Sequence, residues 1–277
     1  MKGIIVAAGY GTRFLPVTKT IPKEMLPLIN KPSLAFIVEE FINSGIHDII
    51  IITSRRKKVM EDYLDREAEL ESLFTREGAQ SKLDLIRPYK AKIAFVRQTE
   101  MMGTGHALLQ VKSWVGDSPV VVAYPDDLHF GEKPLTQQLI DLHKKTGSSV
   151  MATLHNPPHL HRYGVLDLAD DGLHVKGMVE KPAPGTEPSQ EVSIGRYLYT
   201  PDFFHFLEEG WNAHAGGEYY HLYALQKLMD LGRVVYKPIE GQRLDTGEPA
   251  GYLEAILHYA SQDPQLKDVI RSFVQKM

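Results

Sequence analysis

Residues 1–27 read MKGIIVAAGYGTRFLPVTKTIPKEMLP, and this stretch decides the fold class that the sequence predicts. An apolar strand over Gly3 to Ala8 runs into a turn with two glycines, and positive charge then collects at Arg13, Lys19 and Lys23. Glycines after a buried strand allow a left-handed backbone and let N–H groups approach a phosphate. The stretch therefore predicts an anion site beyond the carboxyl end of a sheet strand.

Apolar strand patterns alternate with helical patterns through the first half of the chain. The further strands are predicted at Ile49 to Thr53, Ile93 to Gln98, Val120 to Tyr124 and Val150 to Leu154. The helices are predicted at Leu34 to Asn43, Lys57 to Phe74, His106 to Trp114 and Leu135 to Lys144. Strands that are apolar throughout and separated by helices predict an α/β fold with a Rossmann-like, mostly parallel central sheet flanked by helices.

The pattern changes after about residue 160. Strands are predicted without intervening helices at Gly164 to Leu168, Leu173 to Val179 and Ile194 to Tyr199, and helices at Pro201 to Glu209, Tyr219 to Leu231 and Gln265 to Met277. This order predicts a mixed-sheet extension of the parallel core. Because no linker-like segment separates the halves, we expect one domain over residues 1–277 with two lobes, roughly 1–155 and 156–277.

Composition excludes several classes of protein. The chain has 277 residues, 43% hydrophobic, with a formal net charge of −4 and no cysteine. The acidic balance argues against a general nucleic-acid or membrane-surface binder, since such proteins display a basic excess. The lack of cysteine excludes disulfides and thiolate metal sites, and no apolar run reaches the length of a membrane span. We expect a cytoplasmic protein without nucleic-acid or membrane partners.

The glycine pair does not by itself define a ligand. No Gly-Lys-Ser/Thr follows it, so it is not a nucleotide-binding P-loop, and Phe14 occupies the place of the third glycine of a dinucleotide fingerprint. A tight turn with a surface arginine would look similar. The residues that follow separate these interpretations.

The segment AAGYGTRFLPVTKTIPKEMLP, residues 7–27, resembles the signature of the sugar-nucleotide pyrophosphorylases. Further resemblance follows in the family's order through nearly the whole chain, at Arg97 to Ala107, Tyr124 to Leu128, Tyr163 to Val165, Val179 to Pro182, Gly195 to Tyr197, Leu244 to Gly247 and Gly251 to Leu253. The resemblance implies a fold of the nucleotide-diphospho-sugar transferase type. It also implies a nucleotide-binding first lobe and a second lobe with the sugar-phosphate site and the C-terminal helices.

The resemblance assigns roles by position. It implies nucleotide binding by Ala8, Gly9, Gly11, Thr12, Arg13, Lys23, Gln98 and Gly103, and sugar-phosphate binding by Gly164, Glu180, Lys181 and Gly195. It implies that Asp126 and Asp245 bind Mg²⁺, and that Arg13, Lys23, Asp126 and Lys181 are catalytic. The implied reaction converts UTP and glucose 1-phosphate to UDP-glucose and pyrophosphate, in a homo-oligomer, dimer or tetramer.

The chemistry of these residues suits the roles. Carboxylates at a strand end suit Mg²⁺, which binds few carboxylates and keeps waters and phosphate oxygens. Asp126 and Asp127 point to different faces of an extended backbone, so one is expected at the metal and Asp127 is expected to accept hydrogen bonds. Asp245 alone would equally fit an Asx turn. Gln98 offers a donor and an acceptor, which a uracil edge satisfies together.

Three questions stay open at this point. A thymidylyltransferase, or a uridylyltransferase for another sugar phosphate, fits the same motifs, and so does a non-catalytic sugar-nucleotide-binding regulatory protein. Tyr220-His221-Leu222-Tyr223 stands where the resembled enzymes usually carry Gln-Leu-Thr-Asp, and we expect these residues to repack the lobe rather than reshape the sugar pocket. The apolar stripe of the last helix is expected to pack on the core or on another subunit.

Overall fold

A computed structural model describes all of residues 1–277. Its main feature is a nine-stranded sheet, in the order β10-β9-β11-β6-β1-β4-β5, with β8 pairing β11 and β12. The strands of the chain are β1 Lys2–Val6, β2 Pro27–Leu28, β3 Lys31–Pro32, β4 Asp48–Thr53, β5 Lys92–Arg97, β6 Val120–Ala123, β7 Asp127–Phe130, β8 Ser149–His155, β9 Gly164–Leu168, β10 Val175–Glu180, β11 Glu191–Tyr199, β12 Val234–Pro238 and β13 Gln242–Asp245.

The centre of the sheet is parallel. Strand β1 pairs in parallel with β4 on one side and β6 on the other, and β5 continues beyond β4. The chain therefore reverses its direction of winding at β1, and ligands of open parallel sheets bind beyond the carboxyl ends of the strands at such a point. Residues 7–13 follow β1 at this place.

The extension of the sheet is mixed. Strand β11 pairs antiparallel with β6, β8 and β9, and β9 pairs antiparallel with β10, whereas β8 and β12 are parallel. The pairing of β11 with β8 shifts register between Ser193 and Tyr197. The irregularity contains Gly195, which is thereby set apart from the regular ladder. The predicted fold class, a mostly parallel central sheet with a mixed-sheet extension, is confirmed.

Helices cover both faces of the sheet. They are α1 Ser33–Asn43, α2 Val59–Leu64, α3 Ala68–Arg76, α4 Gln80–Leu85, α5 Gly103–Leu109, α6 Lys112–Val115, α7 Leu135–Thr146, α8 Asp202–Asn212, α9 Leu222–Asp230, α10 Pro249–Ser261 and α11 Pro264–Val274. One buried apolar cluster joins the sheet to α1, α7 and α10, and the other joins it to α5, α8 and α9. No helix has the length and apolar character needed to cross a membrane.

Two predicted helices are wrong as single elements. The segment predicted as one helix from Lys57 to Phe74 is divided into α2 and α3, because Asp65 is extended with a ψ of 177°. The oxygen Oδ1 of Asp65 also accepts from the N–H of Arg66 at 2.7 Å, a local bond that competes with the helix. The segment predicted from His106 to Trp114 forms α5 and α6, and α5 begins at Gly103.

A small antiparallel ladder was not predicted from the sequence. Strands β7 and β13 pair with Asp127 opposite Asp245, and this ladder lies apart from the main sheet. Strand β12 and helix α10 were also not predicted. The ladder matters for the site, because it brings two aspartate segments that are far apart in sequence to one place.

Candidate functional site

The loop after β1 offers unpaired backbone donors at the carboxyl edge of the sheet. We call residues Ala8 to Arg13 the anion loop. None of its backbone N–H groups donates a hydrogen bond to another group of the protein. Gly11 has a φ of 67°, in the left-handed region that favours glycine, and its carbonyl accepts from Oγ1 of Thr18 at 2.7 Å. The loop is therefore shaped by its own contacts while its donors stay free for a ligand.

Lys23 and Asp126 form an ion pair beside this loop. The Nζ of Lys23 lies 2.5 Å from Oδ2 of Asp126, although the residues are far apart in sequence. Burial works to lower the pKa of Lys23, but the Asp126 carboxylate outweighs it and raises that pKa above its ordinary value. Burial likewise works to raise the pKa of Asp126, and the Lys23 ammonium holds it below its ordinary value. Both groups are therefore charged near neutral pH.

A buried ion pair supports the same region. Lys57 donates to both carboxylate oxygens of Glu24, at 2.7 and 2.8 Å, and to the carbonyl of Ala7 at 2.6 Å. Its own burial lowers the pKa of Lys57, and the Glu24 carboxylate opposes that shift. Since Ala7 precedes the anion loop and Glu24 adjoins Lys23, this pair links the loop to the lysine that lies beside it.

The carboxylates of Asp126 and Asp245 come together where the β7–β13 ladder ends. A Cβ placed on Gly247 would lie 2.8 Å from Oδ2 of Asp126 and 2.9 Å from Oδ1 of Asp245, so both carboxylates border one small space. The N–H of Thr246 donates to the carbonyl of Asp126 at 2.7 Å, which holds the two segments together. Arg13 reaches the same turn, with Nη1 3.5 Å from the carbonyl of Gly247.

Asp127 has a different environment from Asp126. Its carboxylate accepts from the N–H of Gly195 at 2.8 Å and from Nε and Nη2 of Arg243 at 3.0 and 3.1 Å. Arg243 also donates to Oδ2 of Asp245 at 3.1 Å. Burial works to lower the pKa of Arg243, and these carboxylates raise it above the ordinary value. Asp127 is thus a hydrogen-bond acceptor, as predicted, and Arg243 orients the aspartates.

This donor set fits a divalent cation. Asp126 and Asp245 would supply hard oxygen ligands around a gap that a glycine at position 247 leaves open. No group of three or more histidine, cysteine, aspartate or glutamate side chains converges on a metal position in the chain. The remaining ligands would accordingly be waters and phosphate oxygens, which is the usual arrangement for Mg²⁺.

A hydrogen bond joins Gln98 and Gly103, the two residues that are predicted to read the base. The Nε2 of Gln98 donates to the carbonyl of Gly103 at 3.1 Å and lies 3.1 Å from Nδ1 of His106. Gly103 has a φ of 89°, and a Cβ there would lie 2.5 Å from the carbonyl oxygen of Tyr219. The Oε1 of Gln98 accepts no hydrogen bond within the protein. The amide nitrogen of the Gln98 side chain is therefore fixed by Gly103, whereas its oxygen is free to accept a hydrogen bond from a ligand.

A cavity of about 570 Å³ lies beside Gln98, and we call it the Gln98 cavity. Its wall is formed by Tyr10, Ser54, Arg55, Arg56, Arg97, Gln98, Thr99 and Met101. None of its three arginines forms an ion pair with a carboxylate. No role was predicted for these arginines from the sequence, although Arg55 and Arg56 follow the predicted strand Ile49 to Thr53 and Arg97 is the last residue of β5.

The predicted sugar-phosphate residues border one cavity of about 560 Å³, the Glu180 cavity. Gly164, Glu180, Lys181 and Gly195 all line it. A Cβ on Gly164 would lie 2.7 Å from Sδ of Met178 and 3.0 Å from Oε2 of Glu180, so a glycine is needed there. Lys181 has a φ of 48° and an exposed side chain, with Nζ 3.9 Å from Oε1 of Glu180. The volume suits a ligand the size of a sugar phosphate.

The segment that departs from the family pattern is divided between two environments. Tyr220, His221 and Leu222 line the Glu180 cavity. Tyr223 instead packs against Gly210, and its hydroxyl donates to Oε1 of Glu209 at 2.7 Å. Tyr223 and Leu222 have the expected packing role, since both pack on the apolar cluster of α5, α8 and α9. Tyr220 and His221 precede α9, which begins at Leu222, and they border the cavity.

Sequence reasoning missed Glu24, Lys57 and Arg243. Lys57 was predicted as the first residue of a helix, yet it is buried and lies before α2 rather than in it. A usable signal was its position shortly after the end of β4, at the same edge of the sheet as the anion loop. Arg243 gave no such signal, because its partners depend on the unpredicted ladder.

A parallel sheet that carries free backbone donors, basic side chains and converging carboxylates at its carboxyl edge is typical of enzymes that bind nucleoside triphosphates. The chain belongs to the nucleotidyl transferase family, whose model matches residues 2–262. Enzymes of this family generally use a divalent metal ion. The membership agrees with the resemblance drawn from the motifs.

Individual relatives cover nearly the full length. The chain is 41% identical over 280 residues to a UTP–glucose-1-phosphate uridylyltransferase of Bacillus subtilis (strain 168), covering 99% of this chain and 96% of that protein. It is 40% identical over 285 residues to UTP–glucose-1-phosphate uridylyltransferase 2 of Staphylococcus saprophyticus, covering 100% and 97%. These relatives confirm the resemblance to the sugar-nucleotide pyrophosphorylases.

Solved structures agree with the sequence relatives. The UTP-bound UGPase from Acinetobacter baumannii superimposes with a TM-score of 0.88 at 30% identity, covering 100% of this chain and 99% of that one. A UDP-glucose pyrophosphorylase complexed with UDP-glucose superimposes with a TM-score of 0.81 at 35% identity, covering 94% and 98%. The fold and the order of its elements are thus those of this enzyme class.

Proposed function

We propose that this chain is a nucleotidyltransferase that makes UDP-glucose and pyrophosphate from UTP and glucose 1-phosphate. Full-length relatives carry this activity in their names, and the similar structures hold UTP or UDP-glucose. The observation in this chain that carries the proposal is the anion loop. Its N–H groups have no protein acceptor, and it follows the central strand, contains Arg13 and lies beside Lys23.

The triphosphate is assigned to the anion loop. Free N–H groups hold phosphate oxygens by charge-assisted hydrogen bonds, and Arg13 and Lys23 neutralise their charge. Lys23 is assigned to the α-phosphate and the departing pyrophosphate. Its Nζ is paired with Asp126 in the structure, so phosphate binding requires that this ion pair be shared or released.

The sugar phosphate is assigned to the Glu180 cavity. Lys181 is the point charge for its phosphate, and Glu180 accepts hydrogen bonds from sugar hydroxyls. The side chain of Lys181 is 68% exposed, so it is free to move onto a bound anion. Gly164 and Gly195 leave the space that the sugar needs, and Gly195 also holds Asp127 through its N–H.

The reaction is a direct displacement. A sugar-phosphate oxygen attacks the α-phosphorus of UTP, the new P–O bond forms, and the bond to the β-phosphate oxygen breaks to release pyrophosphate. A phosphate monoester is already a competent nucleophile, so no enzyme nucleophile is needed. The residues act by alignment and by neutralising charge on the phosphates.

We assign Mg²⁺ to Asp126 and Asp245. When bound, the ion supplies positive charge to phosphate oxygens of the substrates. Arg243 orients the Asp245 carboxylate, because its guanidinium donates to both Asp127 and Asp245. Asp126 would be free to hold the ion when Lys23 pairs with a phosphate instead.

Base selection is assigned to Gln98 and Gly103. The fixed Nε2 leaves Oε1 of Gln98 as an acceptor, which suits the imide N–H of uracil. Cytosine has no proton at that ring position, and purines present a different edge. Thymine carries the same imide, so a thymidylyltransferase is the alternative that this contact does not exclude.

The proposal is tested by pyrophosphate release from every pairing of UTP, TTP, CTP, ATP and GTP with glucose, galactose and N-acetylglucosamine 1-phosphates. We expect UTP with glucose 1-phosphate to give the highest kcat/KM. A higher value for TTP or for another sugar phosphate would replace the assigned substrate. Binding of these compounds without turnover by any pair would favour the non-catalytic regulatory role.

A homo-oligomer, dimer or tetramer, and a cytoplasmic location stay predictions. The stripe of α11 is relevant to the first, since Val269 and Phe273 are each 64% exposed and do not pack on the core. The structure thus disagrees with the expectation that this stripe packs on the core. The other expectation, a contact with another subunit, stays a prediction.

A further inference from the structure

His221 is a buried polar residue in the wall of the Glu180 cavity with one nitrogen unused. Its side chain is 8% exposed. The Nδ1 lies 3.1 Å from Oγ1 of Thr104, whereas Nε2 is buried and has no hydrogen-bond partner. An unpaired buried polar atom is costly, and most such atoms in folded proteins have a partner. Because His221 lines the Glu180 cavity, a ligand bound there is the candidate to supply one.

The position of His221 is held from both sides. The N–H of Tyr219 donates to the carbonyl of Met102 at 2.7 Å, and the N–H of Gly105 donates to the carbonyl of Tyr219 at 2.9 Å. The imidazole also lies edge-on to the ring of Tyr197, with centroids 5.3 Å apart. These contacts tie the segment to the loop that contains Gly103. A group fixed in this way can discriminate between ligands, since it does not move to follow them.

The protonation state of His221 selects the kind of ligand. Burial lowers its pKa to about 4, so the imidazole is neutral at physiological pH. A neutral ring has one N–H and one lone pair, and contact with the Thr104 hydroxyl uses one of them. Nε2 then offers the other. A hydroxyl donates and accepts, so it satisfies either tautomer, whereas a phosphate suits the cationic Lys181 and Arg243 that line the same cavity.

The residue at position 221 departs from the motif pattern of the resembled enzymes. The resembled enzymes usually carry leucine at the position of His221, within the pattern Gln-Leu-Thr-Asp. Replacing an apolar side chain by an imidazole in a buried cavity wall adds a hydrogen-bonding atom where none stood. Such a change is destabilising unless the atom is used.

We propose that Nε2 of His221 binds a ring hydroxyl of the hexose and that His221 is a specificity-determining residue for the sugar 1-phosphate. The inference rests on the proposed function, because it requires that the Glu180 cavity hold the sugar. It adds a neutral contact to the charged ones of Glu180 and Lys181. Sugars that present no hydroxyl to Nε2 leave it unpaired, and this penalty is the source of the selection.

The test compares wild type with His221→Leu, which has the residue of the resembled enzymes, and His221→Phe, which keeps a ring beside Tyr197. Tyr223→Phe is the matched control, since Tyr223 is on the same segment but outside the cavity wall. Each protein is assayed with UTP and with glucose 1-phosphate or its 2-, 3-, 4- and 6-deoxy analogues. Melting temperatures establish that each variant is folded.

We expect both His221 variants to lose about tenfold in kcat/KM with glucose 1-phosphate, the effect of one hydrogen bond. For one deoxy analogue, and only one, wild type and variants should be equal, because the contact is already absent. The Kd of UDP-glucose should rise in the variants by the same factor while that of UDP is unchanged. Tyr223→Phe should match wild type throughout.

Two results would overturn the inference. The first is that a His221 variant has the same kcat/KM as wild type for every sugar phosphate. The second is that kcat/KM falls by the same factor for every analogue, which would mean that His221 only packs. If His221→Leu does not fold, the same comparison with His221→Phe decides. If the wild-type protein is inactive with UTP and glucose 1-phosphate, that result contradicts the proposed function. It differs from both results that would overturn the role of His221.

Discussion

Lys23 and Asp126 form an ion pair in the candidate site, with Nζ of Lys23 2.5 Å from Oδ2 of Asp126. One residue is assigned to the phosphates and the other to the metal, so substrate and cation binding must rearrange the same contact. Each group offsets part of the desolvation cost of burying the other. The pair thus holds the site together before the substrates bind.

The pH dependence of stability should report this pair. Lys23 has a raised pKa, so its contribution is complete below the ordinary lysine value and is lost as pH rises through its folded pKa. Asp126 has a lowered pKa, so its contribution is complete above the ordinary aspartate value and is lost as pH falls through its folded pKa. Lys23→Met should flatten both limbs of the free energy of unfolding against pH, measured with urea. Unchanged limbs would mean that the pair has no net effect on folding.

Gly247→Ala should abolish metal-dependent turnover with little effect on the fold. The new Cβ would lie 2.8 Å from Oδ2 of Asp126 and 2.9 Å from Oδ1 of Asp245, in the space assigned to Mg²⁺. We expect loss of at least about 3 kcal/mol of transition-state stabilisation, as after removal of a metal ligand. The control is Gly177→Ala, whose Cβ would meet only ordinary contacts near 3.9 Å. Normal activity of the Gly247 variant would remove the metal from this position.

Removal of the metal ion with a chelator is a second test of the Mg²⁺ assignment. EDTA should stop pyrophosphate release in wild type, and added Mg²⁺ should restore it. Asp126→Ala and Asp245→Ala should each lose about 3 kcal/mol or more of transition-state stabilisation, and excess Mg²⁺ should not rescue them. Near-normal kcat in either variant would show that its carboxylate is not a ligand.

The ion pair of Lys57 and Glu24 should be expensive to break. Lys57→Met leaves Glu24 as an uncompensated charge that is 1% exposed, which we expect to lower the free energy of unfolding by about 3–5 kcal/mol. The double variant Lys57→Met/Glu24→Gln should recover part of the loss. Lys58→Met, on the exposed neighbouring residue, is the control. Urea denaturation that shows the Lys57 variant as stable as the control would contradict this account.

Gln98 should discriminate between pyrimidines. Its free Oε1 suits the imide N–H of uracil, so CTP should have a kcat/KM at least tenfold below that of UTP, roughly one hydrogen bond. Gln98→Ala should reduce that ratio by lowering the value for UTP. Equal values for UTP and CTP in wild type would mean that another group reads the base.

The predictable part of the fold is the part with local signals. Strands such as Ile49 to Thr53 are apolar over their whole length, and the structure has β4 at Asp48–Thr53. The ladder of β7 and β13 was not predicted, because its four-residue strands pair across more than a hundred residues and neither is apolar throughout. The break after α2 depends on one local bond at Asp65 that periodicity does not register.

The site likewise contains residues that the sequence predicts and residues that it does not. Motif order indicated Arg13, Lys23, Asp126 and Lys181, since each follows the end of a strand or lies in the opening loop. Their support could not be predicted, because Arg243 and Lys57 act through partners that only the folded chain brings near. The role of His221 was missed for a third reason: a buried histidine is usually satisfied, and only the structure shows that Nε2 is not.

Direct uridylyl transfer from UTP to glucose 1-phosphate can be followed by ³¹P NMR of a single reaction mixture. With UTP, glucose 1-phosphate and Mg²⁺ present, we expect UDP-glucose and pyrophosphate to appear in equal amounts, and omission of any one component should prevent both. Pyrophosphate formed from UTP without the sugar phosphate, or no product from the complete mixture, would contradict it.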